Sequence, residues 1–293
     1  MPKIRLNDCN FHYEVDNFTD PWMPSDTVWI QHGFGRNSRF WYQWPPVLSR
    51  EYRVIRRDMR GHGLSEDPGA GYEWSVDALI SDMMRFFDAI EVDSVHYVGE
   101  SIGAMLGVIC AAQWPDRFKT LTLCSMPGFM LSSTISRSED TLAVGTLERE
   151  DALNTLGVGK WAQALMVPGV FAGMDGTRQR KDWLVSEWDK TPTHVAGPLM
   201  HAVRGLDVRP YLAELKMPTL VLAPVRSTLQ SLAAQVAIFA SIPGARISVV
   251  DGPGHEIYFD RAEESATAVL EFLRAQQGKD SVGTNNATNR TAS

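Results

Sequence analysis

The sequence predicts an α/β protein in which a mainly parallel sheet is covered by helices on both faces. Short apolar runs recur along the chain between longer amphipathic stretches, as expected when strands alternate with crossover helices. The 293 residues are 44% hydrophobic and 22% charged, which is typical of a globular protein and excludes disordered, collagenous and disulfide-scaffold chains. We therefore expect one large domain, or one domain with an insertion.

The apolar runs and the helical periodicity give the individual elements. The predicted strands are Val28 to Gln31, Val54 to Arg57, Val95 to Val98, Leu121 to Cys124, Thr219 to Leu222 and Ile247 to Val250. Apolar residues recur at helical spacing in three segments, 76–90, 229–239 and 266–273. Each segment lies between two predicted strands or after the last one, so the pattern favours crossover helices.

The regular alternation stops between residues 129 and 209. This stretch is rich in Trp and Met and lacks convincing strands, and long excursions from a compact domain tend to be functional. We therefore expect a first core segment at 1–128, a helical cap over the site at 129–209 and a second core segment at 210–277. Residues 278–293 have almost no apolar content and predict a disordered tail.

Charge and cysteine content restrict the partners and the compartment. The 28 basic residues are outnumbered by 35 acidic ones, and the net charge of −7 is opposite to what a nucleic-acid-binding surface needs. The three cysteines, of which Cys110 and Cys124 lie in apolar runs, indicate buried thiols in a reducing compartment. No stretch has the length and apolar content of a signal peptide or a membrane span, so we expect a cytoplasmic protein.

A nucleophile motif follows the third predicted strand. The run Val95 to Val98 leads into Gly99-Glu100-Ser101-Ile102-Gly103 and then into small residues that are compatible with a helix. Strand, sharp turn and helix are the context in which a G-x-S-x-G serine is presented as a nucleophile. Glycines flank the serine because the tight turn crowds its neighbours. We therefore predict that Ser101 is catalytic.

A glycine-rich loop after the first predicted strand can complete this site. His32-Gly33-Phe34-Gly35 lets backbone N–H groups point into a cavity instead of into the sheet. We predict that the N–H groups of Phe34 and Ile102 form an oxyanion hole. A third glycine-rich stretch, Asp58 to Ser65, is interpreted as a structural turn.

His255 is the predicted general base. It follows the last predicted strand on a Gly-Pro-Gly loop, and it is the only one of the seven histidines on a loop able to reach Ser101. A serine hydroxyl is a poor nucleophile unless a neighbouring imidazole takes its proton.

In this order, the four motifs resemble those of the α/β-hydrolase superfamily, over roughly residues 4 to 127 and 211 to 275. The resemblance is greatest to small lidded hydrolases such as enol-lactonases, arylesterases, C–C bond hydrolases and macrolactone hydrolases, and it implies that the insertion is the family's cap. Family members usually place a catalytic Asp a few residues after the strand matched here by 218–223, and some place an acid after the strand matched by 121–124. The chain has Ser227 and Ser125 at these positions and no carboxylate.

Three explanations for the missing acid remain open. A carboxylate can come from an unusual place such as the cap, a hydroxyl of Ser125 or Ser227 can orient His255, or ordinary hydrolysis can have been lost. Glu100 is expected to point away from Ser101, because successive side chains alternate along a strand. Glu256 is next to His255 in the sequence, so its side chain is likewise expected to point away from its neighbour. Asp251 lies at a strand end and can be a solvated charge.

The sequence therefore predicts a serine hydrolase that cleaves an ester or lactone of a moderately large apolar molecule through an acyl-enzyme. The alternatives are a Ser-His lyase, a C–C bond hydrolase, a cofactor-free oxygenase or a ligand-binding receptor. We expect a small-molecule substrate and no metal or organic cofactor, since the chain has no ligand-spaced Cys/His cluster and no nucleotide-binding loop. Trp183 and Met126 are predicted to contact the substrate, and the oligomeric state stays open.

Overall fold

A computed structural model describes residues 2–288 apart from 7, 131–141 and 172–175, with side chains as far as Gln277, and within these residues eight strands form one sheet. The strand order is β1-β2-β4-β3-β5-β6-β7-β8. The strands are β1 (Lys3–Leu6), β2 (Cys9–Asp16), β3 (Thr27–Gln31), β4 (Arg53–Arg57), β5 (Val95–Glu100), β6 (Phe118–Cys124), β7 (Thr219–Pro224) and β8 (Arg246–Val250).

The sheet is parallel from β4 to β8, and β1 and β2 add an antiparallel edge. Each predicted strand lies within one of the six strands from β3 to β8. The residues of β3, β5 and β7 are all buried, as expected where helices cover both faces of a parallel sheet. The predicted α/β architecture is confirmed.

Ten α-helices occur in the described residues. They are α1 (Pro45–Leu48), α2 (Val76–Ala89), α3 (Ile102–Gln113), α4 (Arg149–Leu156), α5 (Val158–Ala164), α6 (Arg178–Trp188), α7 (Thr193–Ala202), α8 (Leu232–Ala240), α9 (Ile257–Asp260) and α10 (Ala262–Thr288). Helix α8 begins three residues after the predicted start at residue 229, because the side chain of Ser231 accepts the Ala234 N–H and caps the helix there. No described helix combines the length and apolar character that a membrane crossing needs.

Helices α4 to α7 form an insertion between β6 and β7. Its two ends are joined where Phe129 pairs with Asp207 in an antiparallel bridge and the Met130 N–H donates to the Leu206 carbonyl at 2.7 Å. These bonds hold the first and last residues of the insertion together, so helices α4 to α7 are connected to the sheet at one place.

The last helix differs from the prediction. Helix α10 continues to Thr288, whereas the sequence predicts disorder from Gly278 onward. A helix that is already nucleated by packing against the core extends by one backbone hydrogen bond per residue, without needing apolar side chains. Residues 289–293 of the predicted tail lie outside the described residues.

Candidate active site

The functional loops meet at the edge of the sheet where the parallel strands end. His32 follows β3, Ser101 follows β5, Ser125 follows β6, Ser227 lies just beyond β7, and His255 lies beyond β8. Because parallel strands place their carboxyl ends on the same side, residues distant in sequence come together there, as in other open α/β sheets.

Ser101 lies on a strained turn between β5 and α3. Its backbone has φ 52° and ψ −120°, a conformation that an L-residue rarely adopts. A Cβ atom at Gly103 would lie 2.6 Å from the carbonyl oxygens of Gln31 and His32, and one at Gly99 would lie 2.7 Å from the backbone of Ala104. The turn is therefore possible only with both glycines, and it leaves the serine half-buried at the strand end.

The His32-to-Arg36 loop is held so that the Phe34 N–H is left for a ligand. His32 Nδ1 is 2.7 Å from the Gly33 carbonyl oxygen, the Gly33 N–H donates to Glu100 Oε2 at 2.8 Å, and Arg36 Nη1 donates to the Phe34 carbonyl at 2.8 Å. A peptide's C=O and N–H point in opposite directions, so binding of the Gly33 carbonyl by His32 turns the Phe34 N–H the other way.

The two predicted oxyanion donors are available in this arrangement. Neither the Phe34 N–H nor the Ile102 N–H donates to another described residue. A Cβ atom on Gly33 would lie 3.0 Å from Ser101 Cβ, so the loop is adjacent to the serine. These N–H groups therefore meet the conditions for binding a charge that forms beside Ser101, and their role in an oxyanion hole stays a prediction.

His255 is fixed by contacts from three other parts of the chain. Its N–H donates to the Val170 carbonyl at 2.9 Å, and its carbonyl accepts from Ser125 Oγ at 2.7 Å. Its Nδ1 is 3.4 Å from Ser227 Oγ, which also accepts the Gln230 N–H at 3.1 Å. A hydroxyl therefore occupies the side of the imidazole where the family's acid is expected.

Ser101 and His255 are not joined directly in this state. None of the described residues forms a hydrogen bond with Ser101 Oγ, and His255 is among those that do not. Catalytic hydrogen bonds are often long until substrate binds, so this separation is compatible with a Ser-His pair.

The structure corrects the expected position of Glu100. Its side chain is wholly buried, and Oε1 lies 3.4 Å from His255 Nε2. The alternation rule fails here because Glu100 is the last residue of β5, and the chain turns immediately afterwards at the positive φ of Ser101. The space for its carboxylate comes from Gly33, where any Cβ atom would overlap Glu100 Oε2.

Arg36, which the sequence analysis did not single out, sets the charge of this region. Its Nη2 is 2.5 Å from Glu256 Oε1 and its Nε is 4.0 Å from Glu100 Oε2, with all three side chains buried. Burial raises the pKa of Glu100, but the positive charge of Arg36 and the proximity of His255 outweigh it and hold the pKa below its usual value. Glu100 is therefore ionised at neutral pH.

The other two carboxylates considered for His255 have different partners. Glu256 binds Arg36, and Asp251 is exposed and lies 2.8 Å from the guanidinium of Arg226. Glu100, in contrast, faces the imidazole ring of His255. No part of the sequence pattern signals this contact, except that a carboxylate directly precedes the motif serine.

The insertion contributes directly to the site. Gly169 donates its N–H to the Pro253 carbonyl at 2.9 Å and accepts the Thr228 N–H at 2.8 Å, so one residue bridges the loops that carry His255 and Ser227. The ring of Trp188 lies 4.5 Å from the Arg36 guanidinium carbon and fills the space where Gly35 has no side chain. The site therefore lies between the sheet and the insertion.

The predicted substrate contacts Trp183 and Met126 have packing partners of their own. Trp183 is half-buried and stacks on Phe259 with a centroid distance of 6.0 Å, and it also packs against Phe40 at 5.9 Å. Met126 is wholly buried directly after Ser125, and its carbonyl accepts from Gln235 Nε2 at 2.8 Å. The structure does not place Trp183 against Ser101 or His255, and a role in substrate binding stays a prediction for both residues.

Comparison with known proteins identifies the family. Residues 26–262 match the family model described as "alpha/beta hydrolase fold". The chain is similar to RutD of Stutzerimonas stutzeri, provisionally named as a carbamate hydrolase, with 23% identity covering 92% of this chain and 98% of that protein. It is also 24% identical to a 2-(acetamidomethylene)succinate hydrolase of Mesorhizobium japonicum, covering 83% of this chain and 86% of that protein.

Among solved structures, the enol-lactonase of Burkholderia xenovorans LB400 superposes with a TM-score of 0.81 at 23% identity, covering 93% of this chain and 100% of that chain. At this level of identity the superposition shows the shared fold. Together with the family match over most of the chain, the strained turn at Ser101 and the loop geometry at the sheet edge, it shows that the chain belongs to the alpha/beta hydrolase fold family.

Proposed function

We propose that the chain is a serine hydrolase that cleaves a carboxylic ester or lactone of a moderately large apolar molecule through an acyl-enzyme. The observation that carries the proposal is Ser101 at φ 52° beside two N–H groups that donate to no other described residue. A strained serine next to free donors suits attack on a carbonyl, because the donors stabilise the charge that forms. The names of the similar proteins support hydrolysis as the reaction type.

An aromatic cluster beside the oxyanion loop supports an apolar substrate. The Phe34 ring packs against Trp161 at 5.9 Å, and Trp161 in turn packs against Phe171 at 5.3 Å and Trp188 at 5.9 Å. Three of these four rings come from the insertion. A substrate that reaches Ser101 therefore passes a largely apolar wall, which favours an apolar acyl or alcohol group.

In the proposed reaction, Ser101 Oγ attacks the substrate carbonyl while His255 Nε2 takes the hydroxyl proton. The negative charge on the carbonyl oxygen is bound by the N–H groups of Phe34 and Ile102. His255 then gives the proton to the leaving alkoxide, and the acyl group stays on Ser101. A water molecule, deprotonated by His255, releases the carboxylic acid and regenerates the serine.

The hydroxyl of Ser227 beside His255 Nδ1 favours a second candidate. An imidazole without a carboxylate on this nitrogen can act in proton transfer without forming an acyl-enzyme, as in a lyase, a C–C bond hydrolase or a cofactor-free oxygenase. A ligand-binding receptor on the same fold would need neither Ser101 nor His255 for binding.

Labelling by a fluorophosphonate probe and turnover of aryl esters and lactones test the proposal. We expect the wild-type chain to be labelled at Ser101 and to release product, and we expect S101A to lose both while keeping its fold, because only a hydroxyl is removed. S241A is the matched control, since Ser241 is exposed directly after α8 and its hydroxyl donates to the Ala237 carbonyl at 2.9 Å. This control should keep full labelling and turnover.

Two outcomes would contradict the proposal. If S101A kept a tenth of the wild-type turnover, Ser101 would not be the nucleophile. If the wild-type chain cleaved a C–C bond in a diketone without probe labelling, the proton-transfer candidate would replace the ester hydrolase.

A further inference from the structure

The buried oxygen Oε1 of Glu100 has no ordinary hydrogen-bond partner. It accepts no hydrogen bond from a described residue, although the other oxygen of the carboxylate accepts the Gly33 N–H at 2.8 Å. His255 Nε2, a group that can carry a proton, lies 3.4 Å from Oε1. An unsatisfied buried carboxylate oxygen is costly, so Glu100 stabilises the ring most after Nε2 has gained a proton, while in the resting ring the proton lies on Nδ1 beside Ser227.

The other ring nitrogen can tolerate either protonation state. Ser227 Oγ accepts the Gln230 N–H and can either accept from Nδ1–H or donate its own proton to Nδ1. Nδ1 therefore adapts to the protonation state of the ring. Nε2 differs from Nδ1 because it faces a carboxylate. When Nε2 carries no proton, its lone pair points at the Glu100 carboxylate, which is unfavourable.

We propose that Glu100 is the positioning carboxylate of His255, acting through Nε2 and replacing the acid that is missing beside Nδ1. This inference rests on the proposed function. When Nε2 takes the Ser101 proton, the ring becomes positively charged next to a buried negative charge, and the Glu100 oxygen gains a hydrogen-bond donor. The same proton then passes to the leaving group, so Glu100 is neither protonated nor consumed.

The remaining groups around His255 leave this role to Glu100. Arg36 keeps Glu100 ionised, and the guanidinium is itself bound by Glu256 at 2.5 Å. Tyr258 and Cys124 also face this region, and burial raises the pKa of both well above neutral, so both stay uncharged. Glu100 is thus the anion that faces the imidazole, and Glu256 binds the guanidinium that keeps Glu100 ionised.

The E100Q variant tests the proposal through the pH profile. The new side-chain carbonyl can still accept the Gly33 N–H, so the loop is kept while the charge is removed. We expect kcat/KM to fall about 100-fold or more, since loss of the carboxylate in an ordinary triad costs about 10⁴. We also expect the acid limb of the profile to move to lower pH by about one unit or more, because a nearby negative charge favours the protonated ring.

D251N is the matched control, because Asp251 is also a carboxylate close to His255 in sequence but is exposed and bound to Arg226. It should leave kcat/KM and the acid limb unchanged. A second readout is independent of turnover: NMR of isotopically labelled histidine should show the His255 ring titrating at lower pH in E100Q than in the wild-type chain.

The proposal is overturned if E100Q keeps the wild-type acid limb and the wild-type His255 titration. If E100Q does not fold, E100D is used instead. The shorter side chain of E100D keeps the negative charge but moves it away from His255 Nε2. An unchanged His255 titration in E100D would also overturn the proposal. Failure of the proposed function looks different: the wild-type chain would show neither labelling nor ester turnover, while the histidine titration would still report on Glu100.

Discussion

At the scale of single residues, the site differs from the usual family arrangement in the position of the carboxylate beside His255. The carboxylate faces Nε2 of the imidazole ring instead of Nδ1. Ser227 and Ser125 both touch the His255 residue through hydroxyls, at Nδ1 and at the backbone carbonyl. Glu100 faces Nε2. A carboxylate introduced at position 227 would therefore compete with Glu100 for the proton and the positive charge of the His255 ring.

We expect S227D to lower kcat/KM about tenfold. Ser227 is buried, so an added carboxylate is costly there and would place the imidazole between two negative charges. The double variant E100Q/S227D should recover part of the turnover that E100Q loses, because it moves the single charge to the Nδ1 side. Steady-state kinetics on one aryl ester checks both variants, and a rise of kcat/KM in S227D above wild type would mean that His255 has no carboxylate support.

Sequence motifs could predict Ser101, His255 and the Phe34 and Ile102 donors as candidates, because each is tied to a strand end by glycines with a local steric reason. The contacts of Glu100 and Arg36 could not be predicted. Both depend on where loops from distant strands meet, and Glu100 in addition lies at the one position of β5 where strand alternation ends.

At the scale of elements, the insertion contacts the loops that carry Ser227 and His255 through one glycine. Gly169 has φ +84°, and a Cβ atom there would lie 2.5 Å from Thr228 Cγ2. Gly254, next to His255, is equally constrained, since its Cβ atom would lie 2.8 Å from the Val170 carbonyl oxygen. The insertion segment therefore packs directly on the backbone of the loops after β7 and β8.

We expect G169A to lower kcat/KM about tenfold or more by pushing the insertion away from the Ser227 and His255 loops. Gly157 provides a matched control, because it has φ +80° but open space around its Cβ position. Both variants carry the backbone strain of Ala at positive φ, about 1–3 kcal/mol, and G169A adds the overlap with Thr228. Thermal unfolding should therefore show a loss of stability in both variants, larger in G169A, while activity assays should show a loss of activity only in G169A.

If G157A lost as much activity as G169A, strain within the insertion, and not contact with the loops, would explain the effect. The central strands were predictable because they are short apolar runs buried on both faces, and helix α2 was predictable because its apolar residues recur at helical spacing. The contact between residue 169 and the His255 loop was not, since it joins segments more than 80 residues apart and rests on backbone atoms that carry no residue-type signal.

At the scale of the whole molecule, several ionisable groups are buried in states that acid will disturb. Burial lowers the pKa of His62 to about 4, and burial together with His62 holds the pKa of His32 well below its usual value. The two rings are 5.3 Å apart, and His32 also accepts the Met59 N–H at Nε2 while its Nδ1 contacts the Gly33 carbonyl. The His32-to-Arg36 loop is therefore connected to a pair of histidines that stay neutral in the folded chain.

We expect the free energy of unfolding to fall as the pH is lowered from about 6.5 to 4. In this window the unfolded chain binds protons at His62 and the folded chain does not, so stability is complete above the unfolded pKa of 6.5 and is lost towards the folded pKa of about 4. The difference corresponds to roughly 3 kcal/mol for His62 alone. Glu100 adds to the loss below its usual pKa, because its folded pKa is lowered.

Urea unfolding at a series of pH values measures this dependence. In H62N the new amide can still donate to the Arg60 carbonyl, which His62 Nδ1 contacts at 2.8 Å, but it does not titrate. The slope of stability against pH between 6.5 and 4 should therefore be shallower in H62N, whereas H201N, which changes an exposed histidine of α7, should keep the wild-type slope. An unchanged slope in H62N would mean that His62 is not the buried neutral group that makes the fold acid-sensitive, and the remaining dependence would then be assigned to His32 and Glu100.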